Sequence, residues 1–218
     1  RTIDERVAAI LGYLTGDGHI SVKKRTIGLT TGDDEQADAF SDLIANVFGL
    51  KGVKLMADEA VNQPSHVWVQ VPSCVPSTPG LETSGGEITA KDAEQALAWD
   101  GIIGLGEVMN YAGVDAADPK LMEEMDAARQ AGKIIGGHYA SPDLGPAFHA
   151  YAAGGPEDDH EGTRLDDAIA RVRQGMKAML RYGSAWQDVA AQAPAITKLG
   201  LDSRHFILCS DDCQAETL

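Results

Sequence analysis

In the last two-thirds of this 218-residue chain, short apolar runs alternate with segments of helical periodicity, and four metal-capable side chains each stand just past one of those runs. Glu107 follows Gly-Ile-Ile-Gly-Leu-Gly, and His138 follows Lys-Ile-Ile-Gly-Gly. His160 follows the weaker Gly-Gly-Pro-Glu-Asp-Asp, and Asp211 follows His-Phe-Ile-Leu-Cys-Ser. Strands separated by helices require parallel crossover connections. A (β/α) barrel builds its active site in this way, from the C-terminal ends of several strands. The pattern predicts an α/β fold with these four residues on its functional face.

Length and charge narrow the reading. A complete (β/α)₈ barrel takes about 250 residues, so the chain is expected to lack some strands. A formal net charge of −15 argues against a nucleic-acid or anionic-membrane partner, since phosphate neutralisation needs Lys and Arg. Cys74, Cys209 and Cys213 are an odd set without a CxxC pair, which fits a reducing compartment. No apolar stretch approaches the roughly 20 residues of a membrane span, and no signal-peptide pattern opens the chain. The expectation is a soluble cytoplasmic protein.

Along the chain, residues 2–14 carry Ile3, Val7, Ile10, Leu11 and Leu14 at helical spacing and break at Gly16-Asp17-Gly18. Two short strands, 19–22 and 26–30, flank the basic turn Lys23-Lys24-Arg25. Asp33 and Gln36 open a further helix that should end near Gly49. Val67, Val69 and Val71 alternate as a strand up to Pro72, and 76–86 is a long Pro/Gly/Ser/Thr-rich loop. Thr89 with Asp92 caps a helix through Trp99, and Asp118 with Pro119 opens one to Ala131. Further helices are expected at 144–153, at 163–174 with Thr163 and Asp166 as its cap, and at 186–193; strands are expected at 178–181 and 206–209.

Two histidines and two carboxylates at separate strand ends suit a borderline divalent ion such as Zn²⁺, Mn²⁺ or Fe²⁺ better than Ca²⁺ or Mg²⁺. Such an ion lowers the pKa of a bound water from 15.7 toward about 7, which implies metal-assisted hydrolysis. Each residue alone has a blander reading. His138 can be a hydrogen-bonded core histidine, and Glu107 or Asp211 can cap the following helix. The four together at strand ends favour the metal. His66, His149 and His205 read as structural or surface residues.

A series of longer motifs occurs in order: Ile-Ala-Asn-Val-Phe-Gly-Leu at 44–50, Val-Pro-Ser-Cys-Val-Pro-Ser-Thr-Pro at 71–79, Glu-Thr-Ser-Gly at 82–85 and Gly-Leu-Gly-Glu-Val-Met-Asn at 104–110. Gly-Gly-His at 136–138, Asp-His-Glu at 159–161, Arg-Tyr-Gly-Ser-Ala at 181–185 and Leu-Cys-Ser-Asp-Asp at 208–212 complete it. This stretch resembles the adenine deaminases of the amidohydrolase superfamily. The resemblance implies an incomplete (β/α) barrel of the metal-dependent hydrolase type, and hydrolysis of adenine to hypoxanthine and ammonia. By it, Glu107 bridges metals, His138 and His160 are ligands, and Asp211 binds metal and handles the proton of the attacking water. It makes Glu161 and Asp212 candidate proton donors or ring-nitrogen partners, and gives Ser73, Cys74 and Ser184 a place in the purine pocket. The implied cofactor is a divalent transition metal (Mn, Fe or Zn), binuclear in the family.

The family's His-x-His pair on the first barrel strand has no counterpart here, and Ser41-Asp42-Leu43 stands where a further His-Glu belongs. Loss of two imidazoles should weaken one metal position, because ligand number sets affinity. The absent strands should leave unpaired sheet edges that favour a homo-oligomer.

The front of the chain differs. Ile10-Leu11-Gly12-Tyr13-Leu14-Thr15-Gly16-Asp17-Gly18 resembles the LAGLIDADG motif of homing endonucleases and inteins, which implies a small α+β unit with Asp17 as a metal-binding acid. A plain helix-ending turn explains Gly16-Asp17-Gly18 equally well. The expected organisation is therefore a LAGLIDADG-like helix and hairpin at 1–43 and a partial deaminase-like barrel at 44–218. The expected function is a metal-dependent amidohydrolase, and the alternative is a DNA-binding remnant of an endonuclease or intein.

Overall fold

The computed structural model describes residues 18–21, 26–29, 50–60, 62–77, 81 and 86–213. Strands β1 (Gly18–Ser21) and β2 (Thr26–Leu29) pair antiparallel, as the hairpin reading expects. The helices expected in 2–14 and after Asp33, and Asp17 itself, lie outside the described residues.

Helix α1 (Leu50–Ala60) occupies a stretch to which the sequence reading assigned no element. Its signal was present, since Val53, Ala57 and Ala60 recur at helical spacing and all three are buried. Beyond it, β3 (Val69–Val71), β4 (Ile102–Val108) and β5 (Ile134–Gly137) form one parallel sheet in that order. A second parallel sheet holds β6 (Asp158–Asp159), β7 (Lys177–Arg181) and β8 (Phe206–Cys209), again in chain order. Glu157 joins the two sheets. Its N–H donates to the Ile135 carbonyl at 2.8 Å, and its own carbonyl accepts from the Lys177 N–H at 2.8 Å. The molecule is thus mixed α/β with parallel strands running in sequence order, as the alternation of apolar runs and helical segments requires.

The connecting helices are α2 (Ala90–Leu97), α3 (Tyr111–Asp115), α4 (Pro119–Gln130), α5 (Pro146–Gly154), α6 (Leu165–Arg173), α7 (Val189–Gln192) and α8 (Pro194–Thr197). Thr89 and Asp92 close the expected capping box on α2, each side chain accepting the other's backbone N–H. Asp118 accepts the Leu121 N–H at 3.0 Å at the start of α4, with Pro119 in the first turn. Two expectations need correction. The carboxylate that closes the start of α6 belongs to Asp167, not Asp166, because the cap is Arg164, and Asp167 accepts the N–H groups of both Thr163 and Arg164. The helix expected at 186–193 is two short turns, since Gln187 bridges back to Tyr182 and Pro194 starts a new helix.

The main core packs α1, α2, α4 and α5 on the first sheet through Val71, Leu97, Leu105, Met125, Ile135 and Phe148, all essentially inaccessible to solvent. A smaller cluster of Ala168, Ala178 and Leu180 seats α6 on β7. Met125→Ala should lower stability by about 3 kcal/mol, within the range for emptying a fully buried position. Leu199→Ala, at a position 56% exposed, should change it by less than about 0.5 kcal/mol. Urea denaturation of the two variants checks both.

Candidate metal centre

Parallel pairing sets the ends of β4 and β5 side by side, the Glu157 bonds bring the end of β6 next to them, and together they gather three of the side chains singled out from the sequence. Glu107 is the penultimate residue of β4, inside the strand rather than past it, where the register against β5 shifts between Leu105 and Val108. His138 follows β5 directly and His160 follows β6. His138 Nδ1 lies 3.0 Å and His160 Nε2 2.7 Å from the same Glu107 oxygen, and the two nitrogens are 3.2 Å apart. A tetrahedral ion with ligands at about 2.0–2.1 Å spaces its donors by roughly 3.3 Å. Two imidazoles and one carboxylate at this spacing fit a borderline divalent ion.

Charge within the cluster is balanced. Burial alone would raise the Glu107 carboxyl, but hydrogen bonds from His138 and His160 and their charge outweigh it and pull the group down to about 2. For His160, burial works against protonation, yet the bond and charge of Glu107 leave its imidazole raised above the ordinary value.

A second group of donors shares His160 and adds Glu161 and Asp211. Glu161 Oε1 is 3.8 Å from His138 Nδ1 and 3.9 Å from His160 Nε2. Asp211, beyond β8, has φ 53°, a left-handed conformation that Asp tolerates better than most residues. One of its oxygens accepts the Asp212 N–H at 2.7 Å and the other lies 3.0 Å from Arg181 Nη1. Asp212 is exposed on the same loop. Ser184 is also exposed, and its N–H donates to the Asp212 carbonyl at 3.1 Å.

The centre opens into a cavity of about 400 Å³ whose wall includes Gln70, Cys74, Glu107, His160 and Met179. A Cβ on Gly137, at the end of β5, would run into the Asp158 carbonyl, so this position requires glycine, and the Gln70 amide oxygen packs against the neighbouring Gly136. Ser73 donates to the Glu107 carbonyl at 2.7 Å, fixing the backbone that carries the carboxylate.

Residues the sequence reading did not single out hold the ligands in place. The buried Asp159 accepts the backbone N–H of Tyr139, next to His138, and that of Glu161, next to His160. Arg171, also buried, pairs with Asp159 at 2.8 Å and donates to the Tyr139 carbonyl at 3.1 Å. The Tyr151 hydroxyl accepts the His138 N–H at 2.7 Å and donates to the Val108 carbonyl at 2.8 Å, clipping the ends of β4 and β5. Asp159 and Arg181 both lie inside motifs visible in the sequence, Asp-His-Glu and Arg-Tyr-Gly-Ser-Ala. Tyr151 and Arg171 gave no signal beyond their helices.

These features define a candidate metal centre at the ends of parallel strands. The chain is 63% identical over 175 residues to the adenine deaminase of Ruegeria pomeroyi, an alignment that covers 80% of this chain and 29% of that protein. Adenine deaminase 3 of Rhizobium meliloti is 65% identical with the same two coverages. The Moorella thermoacetica adenine deaminase is 42% identical over 209 residues, 93% of this chain and 35% of its own length. The chain is thus related in sequence to adenine deaminases over four-fifths of its length or more, and spans about a third of the length of these relatives. The Moorella alignment covers enough of the chain to run into residues 1–43. No protein-family model matches. None of these relatives supports the LAGLIDADG resemblance.

A smaller cavity of about 100 Å³ is lined by Ser73, Cys74, Asn110, Lys120 and Glu124. Glu124 is 1% exposed, and its Oε1 has no hydrogen-bond partner among the described residues. Burial pushes its carboxyl from the ordinary 4.5 up to about 7, with Lys120 opposing and Asp118 adding to the rise. A folded-state value above the unfolded one means that the stability contribution is full below about pH 4.5 and is lost as pH climbs through 7. Glu124→Gln should remove that loss, so the variant should gain on the wild type by on the order of 2 kcal/mol between pH 5 and 8. Urea midpoints measured across this range check the sign. Asp159→Asn should cost about 3–5 kcal/mol at neutral pH, since it leaves the Arg171 charge buried and unpaired. Calorimetry or urea denaturation of the variant measures it.

Proposed function

We propose that this chain carries part of the active site of a metal-dependent amidohydrolase that converts adenine and water to hypoxanthine and ammonia. The observation that carries the reading is the convergence of Glu107, His138 and His160 from three successive strand ends onto one point. The high identity to adenine deaminases over most of the chain supports it. In this proposal β3 to β8 are successive staves of a (β/α) barrel, residues 44–218 form the deaminase-like unit and residues 1–43 a separate front unit. The cytoplasm suits three cysteines without a CxxC pair, and exposed apolar side chains such as Trp68, just before β3, and Leu208, in β8, suit self-association.

Glu107, His138 and His160 would hold a divalent ion, with Mn, Fe and Zn all compatible with the donor set. When bound, that ion supplies a Lewis acid that makes water ionisable near neutral pH. Asp211, one of whose oxygens lies in the donor group with His160, takes the proton of the attacking water. Asp211 passes that proton on to the departing amine by way of Glu161, 3.9 Å from His160, or of Asp212, its neighbour in sequence. Cys74 and Ser73 line the wall where a purine ring would lie, and Ser184 contributes from the loop after β7. The Gln70 amide across Gly136 offers both a donor and an acceptor to a heterocycle edge, a role absent from the sequence reading.

Equilibrium dialysis against Mn²⁺ or Zn²⁺ should find an ion on the folded chain, and His138→Ala and His160→Ala should each weaken it by about 100-fold or more. Ammonia release from adenine should follow ion loading and vanish in His160→Ala. A folded wild-type chain that takes up no ion and releases no ammonia overturns the proposal.

A further inference from the structure

Glu161 and Asp211, two members of the second donor group, already have a cation. The Arg181 side chain is 0% exposed, and its Nη1 contacts both the Glu161 and the Asp211 carboxylates, the latter at 3.0 Å. Its Nε donates to Asp188 Oδ2 at 3.1 Å, and its Nη2 lies 3.0 Å from that oxygen. The Trp186 ring covers the guanidinium, with the cation 4.5 Å from the ring centre. Three carboxylates from separate segments therefore converge on one arginine. Glu107 is different, because its ion-pair partners among the described residues are the two imidazoles alone.

We propose that Arg181 is the fixed cation of the Glu161–Asp211 half of the centre, taking the place there of a second metal, so that this chain binds one divalent ion and not two. The inference rests on the metal-centre reading of Glu107, His138 and His160. A guanidinium cannot be deprotonated in a protein and its planar donors hold two carboxylates at once. A divalent ion added between the same carboxylates would meet the like charge of the buried guanidinium, and partly buried charges are screened less than exposed ones. Arg181 is a positioning residue in this account. It aims Glu161 and Asp211 at the imidazoles without touching the reacting atoms.

The test counts ions on the whole chain. Mn²⁺ per folded chain is measured by elemental analysis and titration calorimetry, with electron paramagnetic resonance to detect coupled ion pairs, for the wild type, Arg181→Lys and Arg181→Met. The expected result is one ion without pair coupling for the wild type and Arg181→Lys, which keeps the charge. Arg181→Met, which leaves Glu161, Asp188 and Asp211 uncompensated, should take up a second ion at least tenfold more weakly. Two ions or a coupled spectrum in the wild type overturn the inference while leaving the metal-centre reading intact. A folded Arg181→Met that still stops at one ion also overturns it. Should Arg181→Met fail to fold, the counts on the wild type and Arg181→Lys decide. No ion on the wild type at all defeats the metal-centre reading and this inference with it.

Discussion

The buried pair of Asp159 and Arg171 is the interaction on which the arrangement of the centre depends. Asp159 ends β6, and its two oxygens are divided between the backbone beyond β5, the backbone beyond β6 and the Arg171 guanidinium. One carboxylate thereby fixes the chain immediately after both His138 and His160. Arg171 reaches it from α6 and adds a bond to the Tyr139 carbonyl, so the helix outside the sheet is tied to the loops at its end. A buried ion pair is weak evidence for stability, since desolvation offsets much of the attraction. Its value here is in placement, because every polar valence of Asp159 described above is directed at backbone or cation.

The same economy of charge extends across the site. The chain carries a formal net charge of −15, yet the carboxylates gathered at the strand ends do not repel one another unopposed. Glu107 faces two imidazoles, Asp159 faces Arg171, and Glu161, Asp188 and Asp211 surround Arg181. Glu124 lies outside this arrangement, buried with its carboxylate 3.8 Å from Lys120.

Much of this was legible in the sequence where a local rule decides. Thr89 with Asp92 and Asp118 with Pro119 mark helix starts because capping needs only residues three apart. His138 was legible as a strand-end residue because Lys-Ile-Ile-Gly-Gly can be little else between two helices. Local rules misplaced Asp167 by one position, since Asp166 and Asp167 are adjacent acids and only the backbone path decides which turns inward. Arg181 was out of reach for a different reason. Its role depends on carboxylates 20, 7 and 30 residues away, and no spacing rule connects Glu161, Asp188 and Asp211 before the strands are stacked.

His138 belongs to the first sheet and His160 to the second, and the described backbone bonds between the two sheets gather around Glu157. An ion gripped by both imidazoles would act as a rivet across that seam. Its arrival would add to the Glu157 bonds and register as stiffening along the join, felt through residues that never meet a reactant.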